Sequence, residues 1–580
     1  MKNYYTNEKN IQILISLLKQ HGVKDIIASP GATNINFVAS VQDDDFFNVY
    51  SCVDERSAAY MAVGIASETN MPVVLSCTGA TASRNYVPGL TEAYYRNLPI
   101  IAITAAQHPG RIGQNIPQAL DRSVQMKDLV KYSVQLSPVH TAQDAKACNL
   151  FVNEAILESK RHNCGPVHIN MQTSFDGNLS SFELEEQRKI ERIECGNELP
   201  KLGNKDVAIV VGAHKRMTCE LQDAIDEFCE KYNGVVICDH TSSYSGKYKI
   251  QANIITNQEA LEDYRKIGLV IDMGDISGAY FKLNPLAVWR VNPDGEIRDT
   301  YGTLRYVFEM QELEFFKKYN NLISKKNKTN YYEKWKSKLQ ELQEKANKID
   351  FPFSNIWTAQ HTISKLKDGD RVHLGILNTL RSWNFFDTKK DVFFQANTGG
   401  FGIDGITSTA FGQSLATDNK VYCILGDLAF FYDMNSICNR DIKNNLRIMV
   451  INNGCGTEFH NYTHTAAKTA KAYGKSFDFM AADGHNGNKS KTLLKHYSQD
   501  LGFEYLSAEN KEEFLKNIEV FMKDNSKPIL FEVFTSDKDE SEALRLMNNL
   551  ELNAKVGVKK VAMKILGNKG KNTIKKMLGR

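Results

Sequence analysis

The chain has 580 residues, 42% hydrophobic and 24% charged, with a formal net charge of +3. This is the composition of a soluble globular protein, and the length suggests roughly three or four domains. The near-neutral balance argues against nucleic acid or another polyanion as partner. Eleven cysteines are scattered without a CxxC pair, and the N-terminus lacks the basic-then-apolar order of a signal peptide. No apolar run approaches the roughly 20 residues needed to cross a bilayer. The expectation is a reduced, cytoplasmic protein whose cysteines act as small buried hydrophobes.

In chain order, short apolar runs alternate with helical patterns, the rhythm of parallel α/β layers. The first set is "VKDIIASPG", "FFNVYSCV", "MPVVLSCTG", "LPIIAITAA" and "GPVHINM". Within it, "SCVDERSAAYMAVGIA" interrupts an apolar run with Asp54, Glu55 and Arg56 before a small-residue helix. Asp54 can cap the free first-turn amides, and both acids suit the positive helix end. Capping explains one acid well and leaves the second over. The charged "FELEEQRKIERIECGNELPK" reads as a linker. A second set follows in "VAIVVGAH", "GVVICDH", "GLVIDMGD" and "LAVWRVNPD". After a helix-prone stretch from Tyr331 to Ile349 comes a third in "DRVHLGI", "DVFFQAN", "KVYCILGD", "LRIMVINN" and "PILFEVF". The reading is α/β: three doubly wound parallel-sheet domains over 1–182, 200–345 and 350–540, then a basic tail over 541–580. After Glu551 the tail carries no acid, and Val558, Val561, Ile565 and Leu566 recur among lysines at near-helical spacing. It is a candidate for peripheral contact with an anionic membrane or a protein, or else a solvated tail; Gly557, Gly567 and Gly570 weaken a single long helix.

Two readings compete for "NTGGFGIDGITSTAFG". Gly400, Gly402 and Gly405 satisfy GxGxxG, with Asp427 roughly where a ribose-binding acid belongs, which points to a nicotinamide or flavin oxidoreductase. The second reading uses more residues. Asp427 follows the run "VYCIL", and the next run, "RIMVI", ends at Asn452 and Asn453. Neighbouring parallel strands present their C-terminal ends on one sheet edge, so a carboxylate and an amide oxygen converge there. Such hard ligands suit magnesium, which bridges readily to phosphates.

Gly426-Asp427-Leu428 followed by Asn452-Asn453 resembles the motif of thiamine-diphosphate-dependent enzymes. The resemblance implies that the side chains of Asp427 and Asn453 and the carbonyl of Cys455 hold magnesium. It implies that the loop with Gly399, Gly400, Gly402 and Asp404 cradles the diphosphate with its amides and the following helix N-terminus. Ile403 is then the side chain that supports the bent cofactor. Glu55, in the "DER" variant of the pyrimidine-binding motif, would hydrogen-bond the aminopyrimidine and promote ionisation of the thiazolium. The sequence is most similar to the menaquinone-pathway 2-succinyl-5-enolpyruvyl-6-hydroxy-3-cyclohexene-1-carboxylate synthases, through "SPGATN", "VDERSAAYMAVGIA", "CTGATASRNYVPGLTEA", "PQALDR", "VWRVNPDGEIRD", "GFGIDGITSTAFG" and "GDLAFFYDMN". This implies pyrimidine-binding, central and diphosphate-binding domains, in that order. It also implies a homodimer or homotetramer, each site joining Glu55 of one chain to diphosphate ligands of another.

The substrate pocket departs from that pattern. The synthases hold polycarboxylates with several arginines, because a guanidinium fork matches a carboxylate. Here Ala32 and Thr33 stand where a serine and an arginine are usual, Gln107 and His108 lie near a second expected arginine, and Thr398 replaces a third. Asn378 and Thr379 fit the pattern, while Trp383 occupies another arginine position, with Arg381 as a substitute. Glu458 falls where an aliphatic residue is usual and Phe459 is retained. Glu458 would relay protons or bind substrate hydroxyls or an amine, or else be a surface carboxylate. Gln118, in a matched motif, His108 and His460 are further pocket candidates. The expectation is a thiamine-diphosphate- and magnesium-dependent decarboxylase and carboligase. It would take a small 2-oxo acid such as pyruvate and a hydroxylated acceptor such as a nucleotide-linked sugar, without flavin. The synthase reaction itself, acetolactate-synthase-like chemistry, a dinucleotide oxidoreductase and a non-catalytic binding protein are the alternatives.

Overall fold

The computed structural model describes residues 4–552 except 182, 204–205, 280, 324–329, 477 and 486–489. The basic tail beyond 552, with its expected membrane or protein contact, lies outside the described residues. The chain divides into two compact units, Met1–Leu199 with Gly295–Glu309, and Pro200–Asp294 with Met310–Arg580.

The first unit is built on a parallel sheet of β1 (Asp25–Ala28), β2 (Asn48–Ser51), β3 (Val73–Cys77), β4 (Ile100–Ala106), β5 (Tyr132–Leu136) and β6 (Val167–Gln172), in the spatial order β2-β1-β3-β4-β6-β5. The central strands β3, β4 and β6 are buried at every residue. Helices cover both faces, which is why these strands read as continuous apolar runs. On one face Ile26, Val74, Ile101, Ile103 and Ile169 pack with Leu14, Leu17, Val152 and Ile156. On the other, Ile27, Val73, Leu75, Ile100 and Ala102 pack with Ala58, Ala59, Ala62 and Ala66. Those alanines belong to α1 (Glu55–Thr69), and their smallness has a specific cause. A Cβ on Gly89 would stand 2.4 Å from the Ala59 Cβ, so α1 and the neighbouring helix Val87–Tyr95 approach too closely for larger side chains.

The second unit holds two parallel sheets. In one, β7 (Val207–Val211), β8 (Gly234–Cys238), β9 (Lys249–Gln251), β10 (Leu269–Met273) and β11 (Val288–Val291) lie in the order β9-β8-β7-β10-β11. The other contains β12 (Arg371–Leu374), β13 (Phe393–Gln395), β14 (Val421–Gly426), β15 (Leu446–Asn452), β16 (Glu504–Ala508) and β17 (Ile529–Phe534), in the order β13-β12-β14-β15-β17-β16. Around it stand α2 (Asn378–Trp383), α3 (Ile406–Leu415), α4 (Asp427–Tyr432) and α5 (Asp537–Asn548). Counted from its own first strand, this order, 2-1-3-4-6-5, is the order of the first unit's sheet.

Every strand expected from an apolar run is present, and the strands that no such run announced include β5, β9 and β16. Each is an edge strand of its sheet. Edge strands are only partly covered, so "YSVQL", "KIQ" and "EYLSA" mix polar and apolar residues and carry no strong strand signal. The expected linker also differs: its residues Glu191–Glu194 form a strand parallel to Leu304–Glu309. Arg192 there pairs with Glu158 at 2.8 Å and Glu309 at 3.5 Å, so part of the charge density is an ion-pair network. Cys77, Cys148, Cys229, Cys238, Cys423 and Cys455 are buried thiols, as expected, whereas Cys52 and Cys164 are half-buried and Cys195, Cys219 and Cys438 are exposed, so the expectation of buried cysteines holds for only part of the set. No helix among the described residues is long and apolar enough to cross a membrane.

Candidate active site

β14 and β15 pair in register from Val421 with Leu446 to Gly426 with Ile451, so both chains leave the sheet at one edge. Asp427 opens α4 there and is 2% exposed. Its Oδ2 accepts a hydrogen bond from the Gly454 N–H at 3.1 Å, which ties the first strand end to the loop after the second. In that loop Asn453 Oδ1 accepts from the Cys455 N–H at 3.4 Å, and Asn452 Oδ1 accepts from Gly454 N–H at 3.2 Å. Behind them Glu532 of β17, also buried, accepts from Asn452 Nδ2 at 2.6 Å and from the Tyr505 hydroxyl at 2.7 Å.

Burial pushes the Asp427 carboxyl up to about 7; the amides of Leu428 and Gly454 oppose the shift and the Glu532 charge adds to it. A buried acid that faces a second acid and main-chain amides is electrostatically unfavourable as an anion unless a cation joins it. The oxygens available are a carboxylate, an amide and loop carbonyls, a set suited to a hard divalent ion. Among the described residues no cluster of three His, Cys, Asp or Glu offers a softer site.

The glycine loop runs from β13 to α3. Gly405 caps α3 with φ +70°, a left-handed conformation that glycine adopts without strain. A Cβ at Gly399, Gly400, Gly405 or Gly426 would meet no atom within 4 Å, so side chains there would fill the approach to the α3 and α4 N-termini. That is a cradle fitted to phosphate. Asn397 holds the loop, donating from Nδ2 to the Gly405 carbonyl at 3.4 Å and to Thr409 Oγ1 at 3.1 Å. Ile403 packs against the core beneath, Asp404 is exposed, and Leu428 is half-buried.

Two expected pocket residues are found paired with each other. Arg381 of α2 donates from Nη1 and Nη2 to the two carboxylate oxygens of Glu458, at 2.8 and 2.7 Å. Asn378 Nδ2 donates to Glu540 Oε2 at 3.1 Å, and Thr379 Oγ1 accepts from Asn355 Nδ2 at 3.3 Å. Trp383 is fully buried. Phe459 and His460 line a cavity of about 590 Å³, and His460 Nδ1 bonds Asp537 at 2.8 Å.

Glu540 of α5 is a hub that no motif announces. It accepts from the Asn355 N–H at 2.9 Å, from Thr535 Oγ1 at 2.9 Å and from Asn378, and burial pushes its carboxyl from 4.5 up to about 7. The folded chain therefore keeps the proton where the unfolded chain has lost it. Its contribution to stability falls as pH rises from about 4.5 to about 7 and is level above that. Glu540→Gln is expected to make this part of the stability profile shallower and to stabilise the protein above pH 7, by on the order of 3 kcal/mol. Urea unfolding across pH 5–8 measures both.

In the first unit Asp54 is the cap of α1: its Oδ1 accepts from the Arg56 N–H at 2.9 Å and its Oδ2 from the Ser57 hydroxyl at 3.2 Å. Glu55 takes no part in that capping. It is half-buried, and its Oε2 accepts from Asn85 Nδ2 at 3.0 Å. Thr33 is buried, and its hydroxyl bonds Thr78 and accepts from the Gly79 N–H at 3.2 Å. His108 and Gln118, the latter with φ +62°, line one cavity of about 230 Å³. Arg122 lines it too but is 4% exposed, its guanidinium donating to the Ala105 carbonyl, Asn170 Oδ1 and Ser83 Oγ.

The residues read from the sequence thus gather into sets: Asp427, Asn453 and Cys455 at one edge with the glycine loop; Arg381 with Glu458; His108 with Gln118. Asn85, Glu532 and Glu540 were missed. A lone acid inside the apolar "PILFEVF" was the available signal for Glu532. Asn85 lay unmarked within a matched motif, and Glu540 in an acidic helix start offered no signal.

Residues 9–126 match the family described as thiamine pyrophosphate enzyme, N-terminal TPP binding domain. The whole chain is similar to proteins named 2-succinyl-5-enolpyruvyl-6-hydroxy-3-cyclohexene-1-carboxylate synthase. The one from Bacteroides thetaiotaomicron is 30% identical over 563 residues, 93% of this chain and 98% of the relative. That from Phocaeicola vulgatus is 31% identical over 93% and 98% of the two chains. That from Flavobacterium psychrophilum is 26% identical over 91% and 96%.

Proposed function

This chain belongs to the thiamine-diphosphate-dependent enzymes, in the family of those synthases, with decarboxylase and carboligase chemistry that uses thiamine diphosphate and a divalent metal; we propose that its donor is a small monocarboxylic 2-oxo acid such as pyruvate and its acceptor a hydroxylated molecule such as a nucleotide-linked sugar. The dinucleotide reading of the glycine loop gives way to this cofactor. One observation carries the donor proposal. Thr33, where the family pattern has an arginine, spends its buried hydroxyl on Thr78 and Gly79 and offers a second carboxylate no charge.

In this reading Asp427, Asn453 and the Cys455 carbonyl hold magnesium. Gly399, Gly400, Gly402 and the α3 N-terminus hold the diphosphate, beside Asp404, Gly426 and Leu428, and Ile403 supports the ring system. When bound, thiamine diphosphate supplies the nucleophile for the 2-oxo carbon and the electron sink for loss of carbon dioxide. Glu55 holds a proton at its Oε atoms against the aminopyrimidine, oriented by Asn85. Gln118 and His108 line the substrate side of the first unit, and Asn378, Thr379 and Phe459 that of the second.

The reading includes a homodimer or homotetramer in the cytoplasm, with Glu55 of one copy meeting the metal loop of another, and the division 1–182, 200–345 and 350–540. Exposed Val53, Tyr60 and Met61 beside Glu55 support such an interface, because apolar groups so placed are covered in assemblies. A panel of 2-oxo acids, with carbon dioxide release measured in the presence of thiamine diphosphate and magnesium, tests the donor. Pyruvate-sized acids are expected to exceed dicarboxylic ones in kcat/KM. A preference for a dicarboxylic acid would reject the proposal.

A further inference from the structure

β12 and β15 flank β14 in the sheet, and β14 ends at Gly426, immediately before Asp427. Arg381 lies in the helix that follows β12, and Glu458 in the turn Thr457–His460 that follows β15. Their pairing therefore bridges, from one side to the other, the strand end that carries Asp427. Both N–O distances are below 3 Å, and Asn461 Nδ2 donates to Glu458 Oε2 at 3.1 Å. The two side chains are 21% and 22% exposed, so the pair is neither a free surface contact nor sealed in the core.

We propose that Glu458 is a positioning residue that sets donor specificity, an internal carboxylate that occupies the Arg381 fork and so denies it to the second carboxylate of a dicarboxylic 2-oxo acid. The inference rests on the reading of the chain as a carboligase for a small donor and names the residue that enforces that choice. A guanidinium accepts one carboxylate in the two-pronged geometry seen here. An incoming carboxylate would have to displace Glu458 and leave it partly buried without its cation, a cost that a monocarboxylic donor does not incur. Removing Glu458 exposes a ready carboxylate receptor near the metal loop. A purely structural staple between α2 and the turn would, on removal, lower turnover of all donors alike.

The test uses the full chain loaded with thiamine diphosphate and magnesium, with pyruvate and 2-oxoglutarate as donors. Glu458→Ala is expected to raise the ratio of kcat/KM for 2-oxoglutarate over pyruvate at least about tenfold, chiefly through a lower KM for 2-oxoglutarate. Adding Arg381→Met is expected to abolish that gain. Glu458→Gln, which keeps the side-chain shape and its bond to Asn461, is expected to shift the ratio in the same direction and serves if the alanine variant does not fold. An unchanged ratio in both single variants, or a gain that survives the loss of Arg381, overturns the inference. If the unaltered chain itself prefers 2-oxoglutarate, the donor reading falls as well. If it prefers pyruvate and the ratio is unchanged in both single variants, only this inference falls.

Discussion

Glu55→Gln is expected to cut carbon dioxide release by about 10²–10⁴-fold while cofactor binding persists, the range for loss of a positioned proton-transfer group. The substitution keeps length and shape, so its effect isolates the carboxylate. Structure separates the two neighbouring acids: Asp54 meets the helix N-terminus with both oxygens, leaving Glu55 without a capping role. Its partner Asn85 donates to Oε2, so in the proposed reading Oε1 is the atom that meets the aminopyrimidine. Asn85→Ala is expected to lower kcat less than Glu55→Gln does, because it alters the orientation of the acid and leaves the carboxyl in place. Turnover, together with the thermal shift caused by thiamine diphosphate and magnesium, decides the matter. Full turnover in Glu55→Gln would show that another carboxylate serves.

Asp427→Asn is expected to act in opposite directions on the apo and loaded protein. With magnesium and thiamine diphosphate at about 100 times their dissociation constant, the native chain gains about 2.7 kcal/mol, and the variant gains almost none. Without cofactor the variant is expected to be more stable than the native chain above pH 7. There the native side chain bears a charge that is buried, close to Glu532 and met only by amides. Melting curves with and without cofactor, and with EDTA, separate the two effects. Loss of stability in the apo variant together with an undiminished cofactor shift would remove Asp427 from the metal site. Such a site is destabilising until loaded, a usual trade between activity and stability.

The parts of this molecule that could be read from its sequence are those governed by local rules. Buried parallel strands announce themselves as apolar runs, and the adjacency of their ends follows from topology, so the sequence alone puts Asp427 and Asn453 on one edge. The edge strands Tyr132–Leu136, Lys249–Gln251 and Glu504–Ala508 escaped because each mixes polar with apolar residues, so its composition resembles a loop. Arg381 and Glu458 were each singled out, yet their union was not. They are 77 residues apart, and their meeting depends on how two turns fold over an intervening strand. The burial of Glu540 escaped for a similar reason, since its neighbours Asn355, Asn378 and Thr535 come from three separate segments.

The strand order shared by the first and last sheets bears on ancestry. A chain that carries one winding pattern twice is what duplication of a single wound domain would leave. The sheets kept their order, and the crossover loops diverged. At the third strand one half now presents Thr78 and Gly79, the other Gly426 and Asp427; at the fourth, Gln107 and His108 answer to Asn453. The second strand ends near Glu55 in one and near Asn397 in the other. One winding thus serves twice, with a different set of side chains set out where its strands end.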